Sequence, residues 1–217
     1  MGKANMDSWD GFIGRVGNTV TYIRMGKVVK RTIGISTKPA TKNQKKSRQR
    51  VRITNEFISP VKEFINVAMK PEGQALKKTP NDLMLSHTLL NGIKGEYPNQ
   101  EIDFTKVQFS KGKMPKTPGL QVSQNDAGLE FTWNTELIKN QFRHDDQLMV
   151  LVYLPELKNA EFETHAIKRS AGKYQFDMLK EDTPTRMEIY ISFMSTDQKR
   201  VCDSEYLGQL ILPAREE

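Results

Sequence analysis

The spacing of apolar residues divides the chain into a β-rich start, a helical middle and a longer β-rich remainder. Turn pairs at Gly17-Asn18 and Met25-Gly26 separate three β-branched runs near the start, at residues 12–16, 19–24 and 27–33. Glycine and asparagine favour two-residue hairpin loops, because both accept positive φ angles. We therefore predict a three-stranded meander, with one face that packs and another that carries arginine and lysine.

An apolar stripe with three- and four-residue spacing follows, which is typical of an amphipathic helix. Its members are Val51, Phe57, Ile58, Val61, Phe64, Ile65, Ala68 and Met69. Thr41 fits the N-cap of this helix, and Ser59-Pro60 predicts a break or a kink within it. A further helix is predicted from Thr79-Pro80 to a stop at Gly92.

After Gly95 the pattern changes to short alternating segments with turn-rich stretches between them. We predict strands at residues 102–109, 120–123, 129–133, 148–154, 161–167, 174–178, 187–194 and 206–212. Leu129, Phe131 and Trp133 alternate with polar residues, as expected when one sheet face is solvated. Residues 148–154 are apolar throughout, which predicts a central strand.

Seven or eight strands at this spacing are typical of an immunoglobulin- or fibronectin-like β-sandwich. The sequence thus predicts an α+β protein of two parts. The first, residues 1–95, is a basic β-meander with helices, and the second, residues 96–217, is the sandwich.

A long stretch of one charge sign spans the meander and the start of the first helix. No acidic residue occurs between Asp10 and Glu56, whereas this interval holds twelve basic residues. Up to Gly95 the chain has 18 Lys and Arg against 6 Asp and Glu, a net charge of +12, so the remainder carries −5 of the total of +7. Such asymmetry indicates an anionic partner for the first part, either nucleic acid or an acidic protein surface.

The partner-binding residues are predicted within this basic stretch. They are Arg24, Lys27, Lys30, Arg31, Lys42, Lys45, Lys46, Arg48, Arg50 and Arg52. Tyr22 is the one aromatic residue between the first and the last cation of the stretch, Arg15 and Arg52, so base stacking has little support from the sequence. Contacts with phosphates need only positive charge in register, and contacts with a protein surface are equally open.

No catalytic or metal-binding pattern is evident. The three histidines lie in different parts of the chain, at His87, His144 and His165. The run His144-Asp145-Asp146 lacks the further ligands that a metal site needs. The glycine repeat at residues 11–17 lacks the strand and helix of a phosphate loop. We therefore expect a non-enzymatic protein without a cofactor.

The chain carries no sign of export or membrane insertion. Its first ten residues are polar, and it has no run of eighteen apolar residues. The single cysteine, Cys202, cannot form an internal disulfide, and burial of a small residue explains it without reactivity. A cytoplasmic or particle-associated protein is expected.

Two segments resemble a known family. The first reads GRVGNTVTYIRMGKVVKRT and continues to a Thr-x-x-Gln-x-x-x-Arg helix start formed by Thr41, Gln44 and Arg48. The second, residues 193–212, reads FMSTDQKRVCDSEYLGQLIL. Both are similar to segments of a domain-of-unknown-function family of about this length from Bacteroidota. The first also loosely resembles small phage structural proteins, although Lys38-Pro39-Ala40 stands where that pattern has Asn-Pro.

The leading hypothesis is a non-enzymatic assembly subunit of virion or phage-derived particle type. Its basic N-terminal part would dock on protein subunits, either copies of itself in a homo-oligomer or other particle components. The alternative is a nucleic-acid-binding protein that contacts phosphates through residues 24–52. A carbohydrate- or surface-binding sandwich is a third hypothesis, which rests on fold analogy alone.

Overall fold

The computed structural model describes residues 11–35, 37–136, 143–178 and 181–214, together with the backbone of residues 2–5. The chain forms two compact units, Met1–Lys42 and Asn43–Glu217. This division differs from the predicted boundary at residue 95, for a reason that lies in the packing of the helices.

The first unit is a four-stranded antiparallel sheet. Its strands are β1 (Gly2–Asn5), β2 (Gly14–Val16), β3 (Thr19–Arg24) and β4 (Lys27–Thr32), in the order β1-β4-β3-β2. The predicted meander is present as β2 to β4, and β1 adds an edge strand that the sequence did not predict. In the β3–β4 turn both Met25 and Gly26 have positive φ angles, 51° and 71°.

The second unit begins with a layer of helices. They are α1 (Lys42–Ile58), α2 (Lys62–Ala68), α3 (Lys70–Leu76) and α4 (Pro80–Asn91). A 3-10 turn at Ser59–Val61 interrupts the first apolar stripe at Pro60, as predicted. The Thr79 hydroxyl accepts a hydrogen bond from the Asp82 amide at 3.1 Å and caps α4, which starts where it was predicted to start. Helix α3 was not predicted, because Pro71 and Gly73 within it are poor signals of a helix interior.

Nine strands follow the helices in the described part of the chain. They are β5 (Ile93–Lys94), β6 (Glu101–Ile102), β7 (Gln121–Asn125), β8 (Gly128–Thr132), β9 (Gln147–Leu154), β10 (Asn159–Glu163), β11 (Lys173–Asp177), β12 (Thr185–Met194) and β13 (Glu205–Leu212). The main sheet has the order β10-β9-β12-β13, a second has the order β11-β8-β7, and β5 pairs with β6. Seven of the eight predicted strands are present. The prediction for residues 102–109 is wrong, because the chain leaves β6 after Ile102 and makes a 3-10 turn at Phe104–Lys106.

The main sheet is covered on both faces, and β9 shows this clearly. Met149, Leu151 and Tyr153 belong to one apolar core together with residues of α1, α2 and α4. Leu148 and Val150 alternate with them and belong to a second core, shared with β8 and β11 of the three-stranded sheet. Because successive side chains of a strand point to opposite faces, a fully apolar strand implies cover on both sides.

The helices therefore share a core with the C-terminal sheets and do not form a module with the meander. Phe57 of α1 illustrates the contact, since its ring centroid lies 4.9 Å from that of Tyr153 in β9. The amphipathic stripe indicated a helix that packs, but it could not indicate against which part of the chain. This packing explains why the units divide at Lys42.

The predicted α+β class is confirmed, with several open antiparallel sheets. The immunoglobulin- or fibronectin-like sandwich is not confirmed, and one face of the main sheet carries helices in place of solvent. Among the described residues, no helix is both long and apolar enough to cross a membrane.

Candidate docking surface

Strand register assigns each side chain of the first sheet to one of two faces. Residues directly opposite in antiparallel strands share a face, and the faces alternate along each strand. Arg15 of β2 stands opposite Val20, which stands opposite Arg31 of β4. At the other end of the hairpin, Arg24 stands opposite Lys27.

One face of this sheet is basic. It carries Arg15, Arg24, Lys27 and Arg31, with Tyr22 between the two pairs of cations, and we call these residues the basic face. The four cations are exposed and Tyr22 is half-buried. The register places two cations, Arg24 and Lys27, directly opposite each other, and like charges in this arrangement repel. The sequence placed Tyr22 within the stretch but did not show that it stands among the arginines.

The opposite face carries exposed apolar side chains, although Val28 and Thr21 on the same face are buried. It carries Val16 and Ile23, which are 61% and 42% exposed, and the ring of Phe12, which is 64% exposed. A Cβ on Gly14 would lie 2.8 Å from Phe12 Cε1, so the Phe12 ring occupies the space that a side chain at Gly14 would take. We call Phe12, Val16 and Ile23 the apolar face. Lys30, predicted as a partner-binding residue, lies on this side, because it stands opposite Thr21.

Further exposed apolar residues surround this sheet. Of the eleven large apolar side chains that are exposed in the described part of the chain, six lie in the first unit: Phe12, Ile13, Val16, Ile23, Met25 and Ile35. Contiguous exposed apolar surface marks interaction sites in soluble proteins. The charge pattern predicted the cations of this unit as partner-binding residues. The exposed apolar residues were not predicted, because their pattern is that of an ordinary strand.

The predicted cations of α1 belong to the second unit from Lys45 onward, whereas Lys42 closes the first. Lys45, Arg48 and Arg52 line a groove of about 310 Å³ together with Gln49, Tyr97 and Pro98. Gln49 links α1 to the other side of this groove, because its Nε2 donates a hydrogen bond to the Pro98 carbonyl at 2.5 Å. The sequence did not predict this groove, since Tyr97 is separated from Arg52 by more than forty residues.

Among the predicted cations of α1, Arg50 and Arg52 have partners within the described residues. Arg50 Nη2 donates a hydrogen bond to the Leu89 carbonyl in the last turn of α4, where helical carbonyls lack an internal partner. Arg52 Nε lies 3.8 Å from a Glu56 carboxylate oxygen on the next turn of α1. Arg50 therefore serves the fold, whereas Lys45 and Arg48 are exposed and Lys46 is half-buried.

The other residues considered for chemistry are used internally. Asp146 Oδ2 lies 3.5 Å from Arg169 Nε, and both side chains are buried. Cys202 is buried, and this burial raises the pKa of its thiol. Within the described residues no three His, Cys, Asp or Glu side chains form a group that could hold a metal.

The fold and this surface define an α+β protein whose small N-terminal sheet presents one basic face and one apolar face. The chain belongs to a family of unknown function, DUF6266, whose model matches residues 10–208. The resemblance to a domain family of unknown function is thereby confirmed. No curated protein and no solved structure matches the chain.

Proposed function

We propose that this protein is a non-enzymatic assembly subunit, of virion or phage-derived particle type, and that its N-terminal sheet docks on protein neighbours. The observation that carries the proposal is the apolar face, which is exposed on a sheet of only four short strands. Below about 40 residues a domain rarely buries enough apolar surface by itself and depends on a partner, a metal or a disulfide. A second copy of the same face is the simplest partner, because symmetric dimers bury identical patches.

The β3–β4 turn supports the same proposal. Met25 occupies a position with φ of 51°, which asparagine or glycine adopts at less cost, and its side chain is 56% exposed. A side chain that strains the backbone and stays in solvent does not stabilise the isolated unit. It would contribute to stability if a neighbouring subunit covered it.

The second unit serves as the body of the subunit in this proposal, and we propose that its sheets are a fibronectin-type variant of the immunoglobulin sandwich. Numbered from β7, strands one, two and five form one sheet, and strands four, three, six and seven form the other. The immunoglobulin constant type groups one, two, five and four against three, six and seven. A single strand, the fourth, has changed sheets. An experimental structure with another strand order would contradict this assignment.

Light scattering after gel filtration tests the docking proposal. The double variant Val16→Thr and Ile23→Thr keeps strand-favouring, β-branched side chains while making the apolar face polar. We expect the wild-type chain to elute with a mass above that of one chain, and the double variant to elute as a single chain. Ile211→Thr is the matched control, because Ile211 is 51% exposed on a strand of the second unit. Equal masses for wild type and double variant would contradict the proposal.

Nucleic acid binding is the second candidate, and the position of Tyr22 on the basic face favours it. An aromatic ring among cations can stack on a base while the cations contact phosphates. Fluorescence anisotropy with a labelled single-stranded oligonucleotide tests it, since log affinity should fall linearly with log salt at about −0.7 per phosphate neutralised. Arg15→Gln with Arg31→Gln should make that slope shallower. Absence of binding at about 50 mM salt would exclude this candidate.

A further inference from the structure

A second kind of site is present in the second unit, away from the basic stretch. A cavity of about 510 Å³ lies between α3 and two later segments, residues 111–113 and 199–201. Its apolar lining comes from Pro71, Ala75, Leu76 and Val201. Volumes of roughly 300–1,000 Å³ with mostly apolar walls are usual for small-molecule sites.

Close backbone packing builds the wall of this cavity. A Cβ at Gly112 would lie 1.9 Å from the Val201 carbonyl oxygen, so only glycine allows the two segments to approach. The Met114 amide donates a hydrogen bond to the same oxygen at 3.2 Å, and an Asp203 carboxylate accepts one from the Gly112 amide at 3.0 Å. The cavity is therefore a fixed feature of the fold.

The end of α3 places an apolar side chain on this cavity. The helix stops after Leu76, because Lys77 adopts the left-handed conformation with φ of 52°. Leu76 is 52% exposed although it lines the cavity. A ligand over Leu76 would remove this apolar surface from water, which is favourable by roughly 25 cal/mol per Å².

Cations dominate the polar lining. Lys111, Lys113, Lys199 and Arg200 line the cavity with a single acid, Glu72. Burial raises the pKa of Glu72, and the nearby Lys111 ammonium offsets part of that rise. Arg200 is half-buried at this lining, and one nitrogen of its guanidinium, Nη2, is shielded from water. A carboxylate at the lining would complement the positive charge of the guanidinium and of the three lysines.

We propose that this cavity binds a small amphipathic carboxylate, with the carboxylate on Arg200 and the hydrocarbon body against Ala75, Leu76 and Val201. The charge of the lining selects the anionic head, and the apolar walls select the body. This site is independent of the docking function proposed above, since its residues lie outside the first unit.

Isothermal titration of the full-length chain with sodium decanoate, below its micelle concentration, tests the proposal. We expect one decanoate per chain with an affinity stronger than about 1 mM. Decanol shares the tail and acetate shares the head, and we expect both to bind at least about tenfold more weakly. Arg200→Gln should weaken decanoate binding by roughly ten- to a hundredfold, because it removes a charged hydrogen bond.

Leu76→Glu tests the apolar wall, and it should weaken decanoate binding by at least about tenfold through lost contact and added like charge. Leu157→Glu and Lys173→Gln are the matched controls, because both residues are exposed and lie outside the cavity. Thermal unfolding checks that every variant is folded.

Three results would overturn the proposal: no decanoate binding up to about 1 mM, equal binding by wild type and Arg200→Gln, or decanol binding as tightly as decanoate. A short apolar peptide with a free C-terminal carboxylate, compared with its amide, provides a further arm. Carboxylate-dependent peptide binding without decanoate binding would make the cavity a peptide-docking site and would also overturn the proposal.

Discussion

A buried arginine, Arg169, holds together side chains next to the second apolar core, the one that β9 shares with β8 and β11. The Arg169 guanidinium is 1% exposed and lies between the Asp146 carboxylate, the Thr117 hydroxyl at 2.6 Å and the Phe193 ring at 4.0 Å. The Trp133 indole donates a hydrogen bond to the Arg169 carbonyl at 2.7 Å. A buried charge pair adds little net stability, but the loss of one member leaves the other charge unpaired away from water.

Arg169→Met should therefore lower the free energy of unfolding by about 3–5 kcal/mol, as measured in urea. Combining it with Asp146→Leu should restore part of that loss, because neither charge of the pair then stays buried. A loss below about 1 kcal/mol for Arg169→Met would show that the pair is not needed.

His87 makes stability depend on pH. Burial lowers its pKa below the usual 6.5, Lys111 lowers it further, and its Nδ1 is buried without a hydrogen-bond partner in the described part of the chain. As pH falls below 6.5, the unfolded chain therefore takes up a proton before the folded chain does. Stability is fully present above that value and is lost as pH falls through the folded-state pKa.

His87→Leu should reduce this loss, because leucine does not titrate. Urea unfolding of wild type and variant at about pH 8 and about pH 5.5 measures it, and the difference between the two pH values should be smaller in the variant. An equal pH dependence in both proteins would mean that other groups cause it.

At the scale of elements, α1 carries cations with two different roles. Arg50 donates a hydrogen bond to the C-terminal end of α4, whereas Arg48 lines the exposed groove. Sequence alone could not separate them, because both belong to the same basic run. The separation appears only when α4, nearly forty residues later, packs beside α1.

The pair Arg50→Ala and Arg48→Ala tests this separation, with the same change of residue type in the same helix. Arg50→Ala should cost about 1–2 kcal/mol of unfolding free energy, since a charged hydrogen bond to a carbonyl is lost. Arg48→Ala should stay within about 0.5 kcal/mol of wild type. Equal effects of the two substitutions would contradict the assigned roles.

The β3–β4 hairpin offers a test in which stability and docking move in opposite directions. Met25→Asn relieves the positive φ and should stabilise the first unit by about 0.5–1 kcal/mol, measured by amide hydrogen exchange of β3 and β4. The same substitution removes an exposed apolar side chain and should weaken association. Weaker exchange protection in the variant would contradict the strain at Met25.

The elements that the sequence predicted correctly are those whose pattern is local. The hairpin turns, the break at Pro60 and the start of α4 at Pro80 each depend on residues that are close along the chain. Residues 102–109 were wrongly predicted as a strand, because Ile102, Val107 and Phe109 are all buried. An irregular segment that buries apolar residues at intervals gives the same alternation as a strand. There the Tyr190 hydroxyl donates to the Phe104 carbonyl, which is thus bonded outside any sheet.

At the scale of the whole molecule, the sequence showed where the basic stretch lies, but not that the stretch is divided between two compact units. The stretch continues from β2 into α1, yet the compact units separate at Lys42. The positions of charged residues along the chain do not indicate which apolar core a helix packs into. For the same reason the sequence predicted the cations of the docking surface and missed its apolar face, since alternating apolar residues in a strand are normally taken as buried.

The most direct test of the docking role is sedimentation of the wild-type chain over a range of protein concentrations, at about 0.15 M and about 1 M salt. Association through the apolar face should increase with protein concentration and persist at the higher salt, because burial of apolar surface is not screened. A chain that sediments as a single copy at every concentration and both salt levels would contradict the account.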